Sequence, residues 1–132
     1  MSERQWTKAG MLAYIYVAMA GATDEVLSDE EKSTIGKSIT EWFPDDPKDV
    51  VIDEIVKAHN LFVEDYTQKG VKTVADNVAK LADMCKYNIK PEALKFVLED
   101  LVKIALADNN FHENEKVWIN TIAEIFEVDY KV

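Results

Sequence analysis

Cysteine is the scarcest residue of this chain. Cys85 stands alone, so no intramolecular disulfide can form, which suits a reducing, cytoplasmic compartment. Only two histidines, His59 and His112, occur, and neither lies near it in sequence. One Cys and two scattered His do not make a zinc cluster, and nothing in the sequence links either histidine to Cys85 as the base that a catalytic thiol wants. Cys85 falls on the apolar stripe of a helix and is expected to be a buried, structural thiol. Only three prolines and four glycines occur, and Pro44, Pro47, Gly70 and Pro91 sit where helices should start or stop. No run keeps the period of two of a half-buried strand. Bases are also short: 15 Lys and Arg stand against 25 Asp and Glu, a formal charge of −10. A phosphate backbone or an anionic membrane surface is therefore not an expected partner, whereas a cation or a basic protein is. No apolar run reaches the roughly 20 residues that a membrane span needs, so direct membrane insertion is not expected. Gly-rich phosphate loops, Gly-x-Ser-x-Gly and His-Glu-x-x-His are all missing. An enzyme is not expected, and a paired-carboxylate hydrolase is only a weaker alternative.

What the chain does have is a segment that occurs twice. An apolar run ends in Asp24-Glu25-Val26-Leu27-Ser28-Asp29-Glu30-Glu31, followed by Ile35. A second ends in Asp108-Asn109-Asn110-Phe111-His112-Glu113-Asn114-Glu115, followed by Ile119. Asp24 and Asp108, Glu31 and Glu115, and Ile35 and Ile119 are each 84 residues apart. Self-similarity of this kind constrains the whole fold. It predicts an all-α, single compact bundle with an internal pseudo-twofold repeat of helical hairpins, each with an acidic elbow. The uncharged run Ala9–Thr23, ending in small residues, resembles a cleaved leader. A comparable helix returns at 94–107, so it reads instead as a buried core helix.

The pattern along the chain predicts about six helices within one domain, 1–132. The first, from Trp6 to Thr23, is apolar almost all round and should be central. The second opens at Ser28, with Ser28 and Glu31 as a capping box, and ends at Trp42-Phe43 before Pro44. Asp46 as cap and Pro47 at the first helical position start the third, with Val51, Ile55, His59, Phe62 and Tyr66 inward. Gly70 ends it. The fourth turns Val71, Val74, Val78, Leu81 and Cys85 inward and stops near Asn88. Pro91 opens the fifth, with Leu94, Val97, Leu98, Leu101, Ile104 and Ala105 inward. The sixth runs from Glu113 to Phe126, with Trp118, Ile119, Ile122, Ala123 and Phe126 inward. The last few residues are expected to be a frayed tail.

These residues carry a resemblance. Ile104-Ala105-Leu106-Ala107-Asp108-Asn109, continued by Phe111 and Glu115, and Asp24, Leu27, Ser28, Glu31 and Ile35 in the first copy, resemble the paired signature of the TerB-like family. That family includes the tellurite-resistance TerB proteins and the N-terminal domain of the DjlA co-chaperones. The family glycine after Asp is Glu25 here in one copy and Asn109 in the other, and His112 replaces the usual serine cap. The resemblance implies a helical, non-enzymatic interaction or sensing module of the stress-response type. A co-chaperone-like docking domain acting in trans is the alternative. Neither role needs tellurium chemistry from these residues.

Two chemistries compete for the elbows. Hard cations want several oxygen ligands, and Asp24, Glu31, Asp108 and Glu115 are the candidate metal residues for Ca2+ or Mg2+. The resemblance implies the same, since metal binding has been proposed for the family from its acidic cluster. Neither elbow is an EF-hand: Val26 stands at the third position of the first, and Glu113 and Ile119 stand where the second would need Gly and Glu. The competing reading is structural, because acids in a helix's first turn favour its dipole by about 0.3–1 kcal/mol each.

Overall fold

A computed structural model of the protein describes residues 6–24, 29–107 and 113–130, with only the backbone of 22–24. It is built from α1 (Lys8–Asp24), α2 (Asp29–Trp42), α3 (Lys48–Lys69), α4 (Val71–Asn88), α5 (Pro91–Leu106) and α6 (Glu113–Phe126). Among the described residues all regular structure is helical.

The first helix organises the rest. Every residue from Ala9 to Gly21 is buried, and α1 touches all five other helices. Having no polar face, it gains nothing from lying at the surface. Each fully buried Leu12, Ile15 or Met19 contributes about 1.5–3 kcal/mol of transfer free energy there. Thr7 caps the helix: its Oγ1 accepts from the Gly10 N–H at 2.9 Å and its hydroxyl donates to Glu54 Oε2 at 3.0 Å.

The repeat carries through into the structure. Helices α2 and α6 have equal lengths, and their ends lie 84 residues apart, 29 with 113 and 42 with 126. Glu31, Ile35, Ser38 and Ile39 are buried on one, and Glu115, Ile119, Ile122 and Ala123 at the equivalent places on the other. Helix α1 packs on α2, α5 packs on α6, and α1 packs on α5. Helix α2 lies against α3 and α5, and α6 against α4 and α5, so α2 and α6 do not touch.

Helices α4 and α5 bury the expected stripes, with one exception. Val71 is 49% exposed, because it is the first residue of α4 and stands beyond the edge of the core. Pro47 is the cap of α3 rather than its first helical residue: its ψ of 134° is extended, and its carbonyl accepts from the Val50 and Val51 N–H groups. Asp46 is therefore one residue outside. On α3 the buried line runs through Val51, Ala58, Phe62 and Asp65, leaving Ile55, His59 and Tyr66 half-buried at its edge. Directly after α6 the chain is ordered by a turn, and the last two residues lie outside the described ones. Glu127 adopts φ 60°, its N–H donates to the Glu124 carbonyl at 3.1 Å, and the Val128 N–H reaches back to Ala123 at 3.0 Å. This Schellman turn lays Val128 and Tyr130 on the core, and Lys86 holds the Glu127 carboxylate at 3.1 Å.

Candidate functional site

The elbows divide their acids into two kinds. Asp29, Glu30 and Glu113 are exposed in the first turns of α2 and α6, where the helix dipole favours them. Glu31 and Glu115 are fully buried. Both occupy the third residue of their helix, one turn before the buried Ile35 and Ile119. Helix periodicity thus turns them inward together with the apolar face. The side chain of Asp24, the last residue of α1, and all of Asp108 lie outside the described residues, as do Ser28 and His112 and the caps expected there. Among the described residues no three Asp, Glu, His or Cys side chains come together as a metal site.

Two further buried carboxylates were not expected. Tyr14 and Tyr16 are both fully buried on α1. Two residues apart on a helix, they face different sides. The Tyr14 hydroxyl donates to Asp65 Oδ2 on α3 at 2.8 Å, and Asn77 Nδ2 on α4 donates to both, at 3.1 Å to Asp65 and 3.2 Å to Tyr14. On the other side Tyr16 donates to Asp100 Oδ2 on α5 at 2.7 Å, and Trp42 Nε1 on α2 donates to the same oxygen at 2.7 Å. These networks tie α1 to α3 and α4 and to α2 and α5. Burial raises the Asp100 carboxyl above its usual value; the Trp42 and Tyr16 bonds and Lys103 pull it back, and Glu41 opposes them. Burial, followed by the Asp100 charge, holds the Tyr16 phenol well above its own usual value.

Asp100 also forms the inner wall of a surface groove of about 500 Å³ between α2 and α5. Trp42, Pro44 and Phe96 give it an apolar lining, and Glu41, Glu99 and Lys103 are charged. A second cavity, of about 260 Å³, lies between α2 and α3 and is lined by Val17, Ile35 and Ile55, with Lys32 and His59. Desolvation, then the charge of Lys32, lowers the His59 pKa, as fits a boundary histidine.

The family model for the tellurite resistance protein TerB matches residues 11–131, nearly the whole chain. The chain belongs to the TerB family. No curated protein and no solved structure matches it. Within this TerB domain the one thiol is ill placed for chemistry. Cys85 is fully buried on α4, and desolvation pushes its pKa up to about 12. A thiol that stays protonated at neutral pH is a poor nucleophile and a poor reductant. No described helix of the domain is long and apolar enough to cross a membrane.

Proposed function

We propose that this TerB-family chain is a non-catalytic interaction or sensing module of the tellurite-resistance, stress-response type. In this reading its elbows take a divalent cation, Ca2+ or Mg2+, in the cytoplasm, and the loaded form meets a protein partner. The observation that carries the reading is the burial of Glu31 and Glu115 at equivalent places in the two copies. A carboxylate removed from water is retained only when it is hydrogen-bonded, paired or ligating. Carboxylate oxygens are also the donors that hard cations select. Asp24 and Asp108, the acids that precede them in the two copies of the sequence, would complete the donor set. A docking role in trans, of the co-chaperone kind, is the second reading, and the groove beside Trp42 favours it. The hydrolase alternative gains no such support, because Asp100 Oδ2 is already committed to Tyr16 and Trp42.

The test is thermal unfolding of chelator-stripped protein with Ca2+, Mg2+, Mn2+ or Zn2+, beside an Asp24→Asn/Asp108→Asn variant. A cation at 100 times its Kd adds about 2.7 kcal/mol. For a chain of this length that is a rise of roughly 8–11 °C. A saturable rise with one ion, lost in the variant, supports the reading. No rise with any ion refutes it and leaves the acids as helix-capping groups.

A further inference from the structure

The groove between α2 and α5 is built more firmly than a chance surface dent. Trp42 is half-buried, and its indole N–H is pinned to Asp100 Oδ2 at 2.7 Å. The same oxygen is held from inside by the fully buried Tyr16. The aromatic wall is thus fixed before any ligand arrives, which lowers the ordering entropy of binding. Across from it Phe96 is 56% exposed, so its ring offers a second aromatic surface to whatever enters the groove. Glu41 and Glu99 add two carboxylates to the lining. Aromatic faces beside carboxylates make up the chemistry that recognises an alkylammonium or guanidinium group.

The groove already holds a cation of this kind. Lys103 reaches Asp100 Oδ1 at 4.0 Å, the outer limit of an ion pair, with its own side chain 61% exposed. So loose a contact is worth little and is readily displaced. The whole chain, at −10, draws positive charge toward the groove.

We propose that this groove docks a basic segment of a partner protein, whose arginine or lysine side chain sits against Trp42 and Phe96 with its charge met by Glu41 and Glu99. The segment carries at least one aliphatic residue to cover Pro44 and the exposed part of Phe96. Neither Glu31 nor Glu115 lines this groove, and the proposed contacts with Trp42, Phe96, Glu41 and Glu99 call for no cation at the elbows.

The experiment uses the full chain in chelator, with an acetylated and amidated probe peptide, Leu-Arg-Arg-Leu-Leu-Arg-Arg-Leu, and a counterpart with Glu in place of Arg. Binding is read by calorimetry and by backbone amide shifts. The basic peptide is expected to bind and the acidic one not, with shift changes centred on 41–44 and 96–103. Phe96→Ala should weaken binding at least tenfold, and Glu41→Gln/Glu99→Gln by a similar factor. Lys103→Met, which removes the competing ammonium, should tighten it several-fold. Asp76→Asn/Asp83→Asn removes as much charge from α4, which does not line the groove, and should change affinity less than twofold. Equal weakening by the α4 and groove pairs, an unaffected Phe96→Ala, or no binding of the basic peptide would each overturn the proposal. Because chelator is present throughout, these outcomes are independent of the cation reading.

Discussion

Replacing Tyr16 by Phe removes one oxygen from the centre of the molecule and leaves its ring in place. The lost bond runs 2.7 Å to Asp100 Oδ2, an acceptor that is ionised at neutral pH unless its pKa is lifted that far. Hydrogen bonds to charged groups contribute about 1.5–3 kcal/mol. With an unfolding entropy of about 2.1 cal/mol/K per residue, the melting temperature should fall by roughly 5–11 °C at pH 7. The pH dependence is the sharper test. Burial raises the folded pKa of Asp100 above its unfolded value. Stability from this group is therefore complete below the unfolded pKa and is lost as pH rises through the folded one. The Tyr16 bond favours the ionised form and so limits that loss. Tyr16→Phe should lift the Asp100 pKa further, and its penalty should shrink as pH falls through the folded value and the carboxyl becomes neutral in both proteins. Melting curves of the two proteins from pH 3 to pH 8 decide the matter. A penalty unchanged across that range would refute the reasoning, because the hydroxyl would then be acting through packing alone.

Three other substitutions address separate features. Gly70 has φ 90° and nothing within 4 Å of where a Cβ would stand, so Gly70→Ala should lose about 1–2 kcal/mol through the backbone alone, read as a melting shift of several degrees. Glu127 adopts a left-handed φ in the turn after α6; Glu127→Gly should melt above Glu127→Ala by about 1 kcal/mol, since both lose the Lys86 ion pair and only glycine relieves the strain. Cys85, with its pKa near 12, should resist an aromatic disulfide reagent at pH 8 in the native protein and react at the unfolding rate; fast native labelling would contradict its burial.

Helices α4 and α5 were legible because burial on one side imposes a period that they carry with few interruptions, and α1 because it is apolar all round and so belongs at the centre. Where expectation and structure part, the reasons are local. Val71 had the right spacing but stands at a helix start with no neighbour to cover it. The chain after α6 looked like a tail because a glutamate at a left-handed turn is not a usual stop signal. The buried acids were the larger omission. Asp65 lies three residues after Phe62, and Asp100 three after Val97, so both fall on apolar stripes, yet an acid on a stripe is ordinarily solvated. The usable signal was on α1. A tyrosine on a helix with no exposed face must find an acceptor for its hydroxyl, and Tyr14 and Tyr16 needed two. For the elbows, the repeat pointed to Glu31 and Glu115, but only the packing separates these buried carboxylates from the exposed Asp29, Glu30 and Glu113.

The same 84-residue offset explains why Tyr16 and Asp100 meet. They are equivalent positions of the two copies, joined by a direct hydrogen bond. Equivalent side chains touch only where the operation relating the copies moves them little, that is, at its axis. Positions on an axis face their own image, so identical residues there would meet as like pairs. Two aspartates at that point would repel in a poor dielectric, and two tyrosines would crowd the packing of α1 on α5. A tyrosine in one copy and an aspartate in the other resolves both conflicts with a donor and an acceptor. The asymmetry extends outward: Trp42 supplies the second donor to Asp100, whereas its equivalent, Phe126, has no N–H to give. The groove with its pinned indole therefore forms beside α2, where the donor stands. In this reading the repeat builds the fold, and the residues that break its symmetry build the surface a partner would use.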